Sequence, residues 1–242
     1  MKRRTLVSAL PALVLGANVR AQGAPAAGRR YVVVSLIGDE MTNSGPKSNG
    51  TGTMITRGAH KAVQMAGAPF DKVAAQAIAG VAPRADAGAQ VSMLDASAMS
   101  LYSAQEGWFD DDKVTLPDAL AVALAKQDAT RLLLLTKIKR DARVTNGRVF
   151  VPTGPLMGLG VYRDNSVAIH NPQDNQDYGL IVPYVFARLS VIDIASSRQL
   201  RHRDIERTRS VYVTSPDDLI AALQQELVDS LTQAVTEALP EA

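Results

Sequence analysis

Arg131-Leu-Leu-Leu-Leu-Thr-Lys-Ile138 decides the fold. Four consecutive leucines leave no polar side, so this stretch reads as a strand buried on both faces, between two covering layers. Working upstream, Tyr31-Val-Val-Val-Ser-Leu-Ile37 is a β-branched run long enough for a second buried strand, and it ends at Gly38-Asp39-Glu40. Residues 42–53 are rich in Thr, Asn, Ser and Gly and read as a loop. From Pro69 to Ala82, Phe70, Val73, Ala74, Ala77, Ile78 and Val81 recur at helical spacing, with Asp71 near the start. Ala89 to Leu94 reads as a further strand. Thr115 with Asp118 has the pattern of a capping box opening a helix that runs to Gln127.

Downstream of the leucines a shorter polar strand meets Asn146-Gly147, a hairpin signal. Residues 156–163 and 180–194 read as extended segments joined by a polar loop, Asp164 to Asp177, and Ile194-Ala-Ser-Ser197 as a turn. Ser215-Pro216-Asp217-Asp218 supplies an N-cap, a proline at the first helical position and acids in the first turn. Ile220, Leu223, Leu227, Leu231, Ala234, Val235 and Ala238 then repeat at intervals of three and four. The order predicts an α/β single domain over residues 30–242: a mixed β-sheet with packed helices and a long C-terminal amphipathic helix.

The N-terminus reads as an address. Lys2, Arg3 and Arg4 precede an apolar run from Leu6 to Ala17, and Val19-Arg20-Ala21 places small residues at −3 and −1. That is a secretory signal peptide over residues 1–21, cleaved near Ala21, followed by a disordered lead over 22–29. Arg3-Arg4 before Thr5-Leu6-Val7 also fits twin-arginine export, with Lys2 where that motif has Ser or Thr. The run is too short for a permanent membrane span. Cleavage removes Lys2, Arg3, Arg4 and Arg20, so 26 basic and 24 acidic residues become 22 and 24, and the charge moves from +2 to −2. The basicity belongs to the signal and implies no nucleic-acid partner. The chain contains no cysteine, which excludes disulfides, thiolate metal sites, cysteine nucleophiles and a lipoprotein anchor. The expected location is periplasmic or secreted.

The catalytic motifs fail on inspection. Glu40 stands where a glycine-aspartate-serine-leucine esterase carries its serine, and glutamate cannot replace a hydroxyl nucleophile. Gly45-Pro-Lys-Ser-Asn-Gly50 lacks the Lys-Ser/Thr of a phosphate loop, and Pro46 removes an amide donor. Asp110-Asp111-Asp112 and Asp174-Asn175-Gln176-Asp177 suggest a hard cation, but the second, with Gly179 at the sixth position of a calcium loop, has Gln176 and Val185 at the third and twelfth, and both runs read as solvated loop acids. His60, His170 and His202 lie far apart without metal-binding spacing. No cofactor and no metal are expected.

One pattern survives. An extended 199–213 segment points Arg201, Arg203, Arg207 and Arg209 to one face, and His202, Asp204 and Glu206 to the other. Four guanidinium groups in a row suit phosphate or carboxylate ligands, or else mark a charged edge strand that resists association. Trp108-Phe109 with Tyr102 reads as a contact patch or as a seal over the core.

Tyr184-Val-Phe-Ala-Arg-Leu-Ser-Val-Ile-Asp-Ile-Ala-Ser-Ser-Arg-Gln-Leu200 is similar to a hairpin in the curli-secretion lipoprotein and the envelope proteins that share its periplasmic α/β domain. Arg131 to Thr136, after Ala129-Thr130, resembles another strand of that group. The likeness covers the last half of the chain. It departs at the absent lipoprotein cysteine and at Ser196-Ser197, where the group has glycine. The resemblance implies an envelope role and transfers no catalytic residue.

These readings predict an exported, non-enzymatic binding or accessory protein whose partner is an envelope protein or an anionic envelope component. Two alternatives stand beside it. One is an exported hydrolase with Asp39, Glu40 and a histidine converging at strand ends. The other is a small-molecule or lipid carrier, which needs an apolar cavity of roughly 300–1,000 Å³.

Overall fold

The computed structural model describes residues 29–46, 59–145, 150–171, 175–211 and 215–239. The signal peptide, the turn at Asn146-Gly147 and parts of the phosphate-loop and calcium-loop segments lie outside them.

Strand β1 (Arg30–Leu36) pairs in parallel with β4 (Gln90–Met93) on one side and β7 (Arg131–Lys137) on the other. Helix α1 (Pro69–Ala85) makes the crossover from β1 to β4, and α2 (Asp118–Ala125) precedes β7. The leucine run is buried on both faces as expected. Leu133 and Leu135 pack with Val33, Phe70, Ile78, Leu223 and Leu227, whereas Leu132 and Leu134 pack with Val32, Val34, Leu120 and Trp108. Alternation along one strand thus feeds two cores. Each fully buried leucine contributes roughly 1.5–3 kcal/mol. Trp108 is buried in the second core, where it seals the layer as the second of the two sequence readings has it.

Antiparallel strands extend this parallel centre. β10 (Gln176–Asp193) pairs through Ala187–Asp193 with β7 and through Gln176–Phe186 with β9 (Phe150–Asn171). β11 (Arg198–Thr208) lies on the other side of β10. β8 (Lys139–Thr145) pairs with the first part of β9. The hairpin of β2 (Glu40–Gly45) and β3 (Ala59–Gln64) joins β9 through β2, and two-residue strands β5 (Phe109–Asp110) and β6 (Lys113–Val114) touch the start of β11. Among the described residues, eleven strands form one connected mixed sheet.

The closing helix α3 (Pro216–Ala238) starts as read: the Ser215 hydroxyl oxygen accepts a hydrogen bond from the Asp218 amide. Its stripe Leu223, Leu227, Leu231, Ala234 and Val235 shares the first core with α1, so both helices cover the same face of the sheet.

Three local expectations are corrected. Residues 40–45 form β2 rather than a loop, because Thr42–Ser44 pair with Gly160–Tyr162 and bury Ser44. The described parts of 164–177 continue β9 and β10 as a long hairpin, with a bulge between Gly179 and Leu180. The Thr115 box does not cap α2. The Thr115 amide donates to the Trp108 carbonyl, and the helix starts after Pro117 with no side-chain cap.

Candidate functional site

Parallel pairing of Leu36 with Thr136 brings the chain out of β1 and β7 at the same edge of the sheet. Asp39 and Glu40 follow the first strand and Lys137 closes the second, so the three side chains meet. Lys137 Nζ lies 2.6 Å from Asp39 Oδ1 and 3.1 Å from Glu40 Oε1. The lysine side chain is 6% exposed and the two acids 21% and 22%. Lys137 also stands 5.9 Å from the Tyr102 ring centroid. A buried ammonium needs this company, because desolvation without partners costs several kcal/mol, on the order of the penalty for any buried ion.

The backbone around the trio is held by side chains. The Lys137 amide donates to Gln105 Oε1 at 2.8 Å, and Gln105 Nε2 donates to the carbonyls of Leu36 and Leu101. Asp71, in the first turn of α1, accepts from the Ser35 hydroxyl and from the amides of Ile37 and Gly38 through Oδ1, and from the Tyr102 hydroxyl through Oδ2. Burial pushes the Asp71 carboxyl above its usual range, although these four donors pull it down. Burial, and then the bond to Asp71, raises the Tyr102 phenol. Sequence reasoning saw Asp71 only as a first-turn acid and missed Lys137. The signal was there: a lysine ending a strand buried on both faces must find a counter-ion.

This edge opens into a cleft of about 570 Å³, walled by Asp39, Glu40, Tyr102, Glu106, Lys137 and Lys139. A neighbouring pocket of about 290 Å³ lies between α1 and β4, with Ala68, Ala75, Met93 and Leu94 in its wall. The cleft has a carrier's volume but a charged lining, and the more apolar pocket falls at the bottom of that range. The histidines sit elsewhere. His60 Nδ1 is 2.9 Å from the Ser44 hydroxyl on the β2–β3 hairpin, His202 Nδ1 is 2.9 Å from Gln199 Nε2 on β11, and His170 is on β9. Asp112 of the acid run is engaged by Arg198. Among the described residues no three His, Cys, Asp or Glu side chains gather as a metal site.

The arginines of β11 form the second candidate. Strand alternation puts Arg201, Arg203 and Arg207 on the face covered by α3, on either side of buried Ile205, and Arg209 follows the strand end. Arg203 Nε lies 3.7 Å from Glu237 Oε2, Arg207 donates to Gln233 Oε1, and Arg209 donates to Glu226 Oε1 at 3.0 Å. A groove of about 230 Å³ runs between strand and helix, with Arg203, Arg207, Gln233 and Glu237 among its walls. The opposite face behaves as read. Asp204 holds Arg140 and Arg188, and Glu206 holds Arg140. Burial pushes the Asp204 carboxyl up, but Arg188 and Arg140 outweigh it and leave it below its usual range.

No protein-family model matches the chain, and no curated protein does. Solved structures show a distant likeness. A neuraminyllactose-binding hemagglutinin homolog from Helicobacter pylori is 9% identical, over 88% of this chain and 85% of that one, at a TM-score of 0.40. A DUF330 protein from Xanthomonas campestris is 9% identical over 88% and 87%, at 0.37. A lipoprotein from Neisseria meningitidis is 11% identical over 83% and 99%, at 0.30.

Proposed function

We propose that this chain is an exported, non-catalytic protein of the bacterial cell envelope that works by binding an anionic partner through the arginine face of β11. The observation that carries the reading is the row of arginines on that face. Arg201, Arg203 and Arg207 share one face of β11 and Arg209 follows the strand end; along α3, Arg203 meets Glu237, Arg207 meets Gln233 and Arg209 meets Glu226. Guanidinium is the group that grips carboxylate or phosphate in pairs of hydrogen bonds, and here several stand on one face of one strand. Export rests on residues 1–21, and the envelope setting also on the Tyr184–Leu200 hairpin that resembles the curli-secretion lipoprotein domain. That hairpin covers part of β10 and the first residues of β11, and the arginines follow it along the same strand pair.

The hydrolase alternative loses support at the cleft. Asp39 and Glu40 lie at the carboxyl end of the parallel strands, where such sheets take ligands. Both are committed to Lys137, which leaves them poorly placed to abstract a proton as free bases. No helix of the described residues is long and apolar enough to cross a membrane.

Capture from a periplasmic extract tests the reading, using the chain and its Arg201→Gln/Arg203→Gln/Arg207→Gln/Arg209→Gln variant as baits. The same anionic partner held by the first and lost by the second is expected. Equal capture by both overturns it, as does turnover of an ester or phosphate substrate that one substitution in the cleft abolishes.

A further inference from the structure

We propose that the partner is a protein strand: an extended segment with the pattern acid-x-apolar-x-acid that adds to the outer edge of β11. This rests on the arginine face being the binding surface and names what lies on it.

The edge geometry comes first. The amides of Arg209 and Val211 donate to the carbonyls of Pro183 and Ile181, so the odd-numbered residues aim their backbone groups at β10. Antiparallel pairing repeats every two residues, and the register runs from Tyr184 opposite Thr208 to Val191 opposite Arg201. His202, Asp204, Glu206 and Thr208 therefore turn their N–H and C=O groups to the other side. There, among the described residues, β11 meets β6 only at Arg198, and the next contact is the Gln199 amide on the Asp112 carbonyl. From 202 to 208 a row of backbone donors and acceptors stands open over roughly 20 Å, at about 3.4 Å per residue. A row of that kind is the template for strand addition.

Charge then selects the strand. Side chains of an added strand would lie about 4.5–5.5 Å from their β11 neighbours. On the helix-side face those neighbours are Arg203, Ile205 and Arg207 in succession, which calls for acid, apolar and acid in the incoming segment. The groove between β11 and α3 leaves space beside the two guanidiniums. Their contacts to Glu237 and Gln233 already restrict them, so less side-chain freedom is lost on binding. An edge bearing arginines repels basic strands and disfavours apolar ones, so the same residues that discourage aggregation would admit an acidic partner. A phosphate or headgroup would use the arginines and leave the backbone row idle. That is why a strand is the favoured occupant.

The test is binding of the labelled heptapeptide Thr-Glu-Thr-Val-Thr-Glu-Thr to the full chain, read by fluorescence anisotropy. Two controls run beside it: a peptide of the same composition with adjacent glutamates, and the first peptide N-methylated at the amides that would face β11. Affinity is expected to fall at least about tenfold for each control, and likewise for Arg203→Gln/Arg207→Gln. Equal binding of all three peptides overturns the strand, since charge alone would then suffice. No peptide binding, with arginine-dependent binding to phosphatidylglycerol vesicles, overturns the strand but keeps the arginine face. Failure of both probes overturns the strand and counts against the arginine face together.

Discussion

Lys137 Nζ stands 2.6 Å from Asp39 Oδ1, tying the end of β7 to the segment that leaves β1. The two acids at this edge therefore serve the fold. Lys137→Met should leave Asp39 and Glu40 facing each other without a counter-ion and cost about 3 kcal/mol, near the low end for a broken buried pair because both acids keep some water. Urea unfolding should show a lower midpoint at an unchanged slope. The triple variant Lys137→Met/Asp39→Asn/Glu40→Gln should recover most of the loss.

Asp71 gives the edge a pH signature. Its carboxyl is raised by burial, so the folded chain holds that proton to higher pH than the unfolded chain does. The sign follows: stability from this group is greatest below the unfolded value and falls as pH rises through the raised folded one. Asp71→Asn should remove that slope and keep the fold, because an amide oxygen can still accept from Ser35, Ile37 and Gly38. Asp71→Ala strands those donors and should cost more than Asp71→Asn by about 1–3 kcal/mol. Denaturation of the three proteins from pH 4 to 8 checks both statements.

Gly38 is set by the same contact. A Cβ there would lie 2.5 Å from the Asp71 amide nitrogen and 3.0 Å from its carboxyl carbon. Gly38→Ala should cost about 1–3 kcal/mol as an overpacked site. At roughly 2–4 °C per kcal/mol for a chain of this size, calorimetry should show a clear drop in Tm.

The arginines should behave in the opposite way. Arg203 and Glu237 are 45% and 48% exposed, and pairs of that kind contribute about 0–1 kcal/mol. Arg203→Gln and Arg207→Gln should leave Tm nearly unchanged while weakening capture of the partner. A large loss of Tm would mean that the row is there to hold α3.

What the sequence disclosed follows from period. The leucines of β7, the β-branched run of β1 and the stripe of α3 repeat at the spacing of their elements, and those three were readable. β2 was not: its Thr-Asn-Ser chemistry is loop chemistry, and only pairing with β9, more than a hundred residues away, makes it a strand. The alternation of β11 was legible, so its arginines could be placed on one face before the helix beside them was known. The Lys137 trio was hidden because its members come from distant segments, and neither Asp39 nor Glu40 says which cation it will meet.

The central claim, that the arginine face of β11 is a binding surface, is tested most directly by capture at equal net charge. Arg203→Gln/Arg207→Gln should lose the anionic envelope partner, while Lys61→Gln/Lys126→Gln, which removes the same charge from exposed positions elsewhere, should retain it. Equal retention by the two variants, or equal loss, would contradict the account.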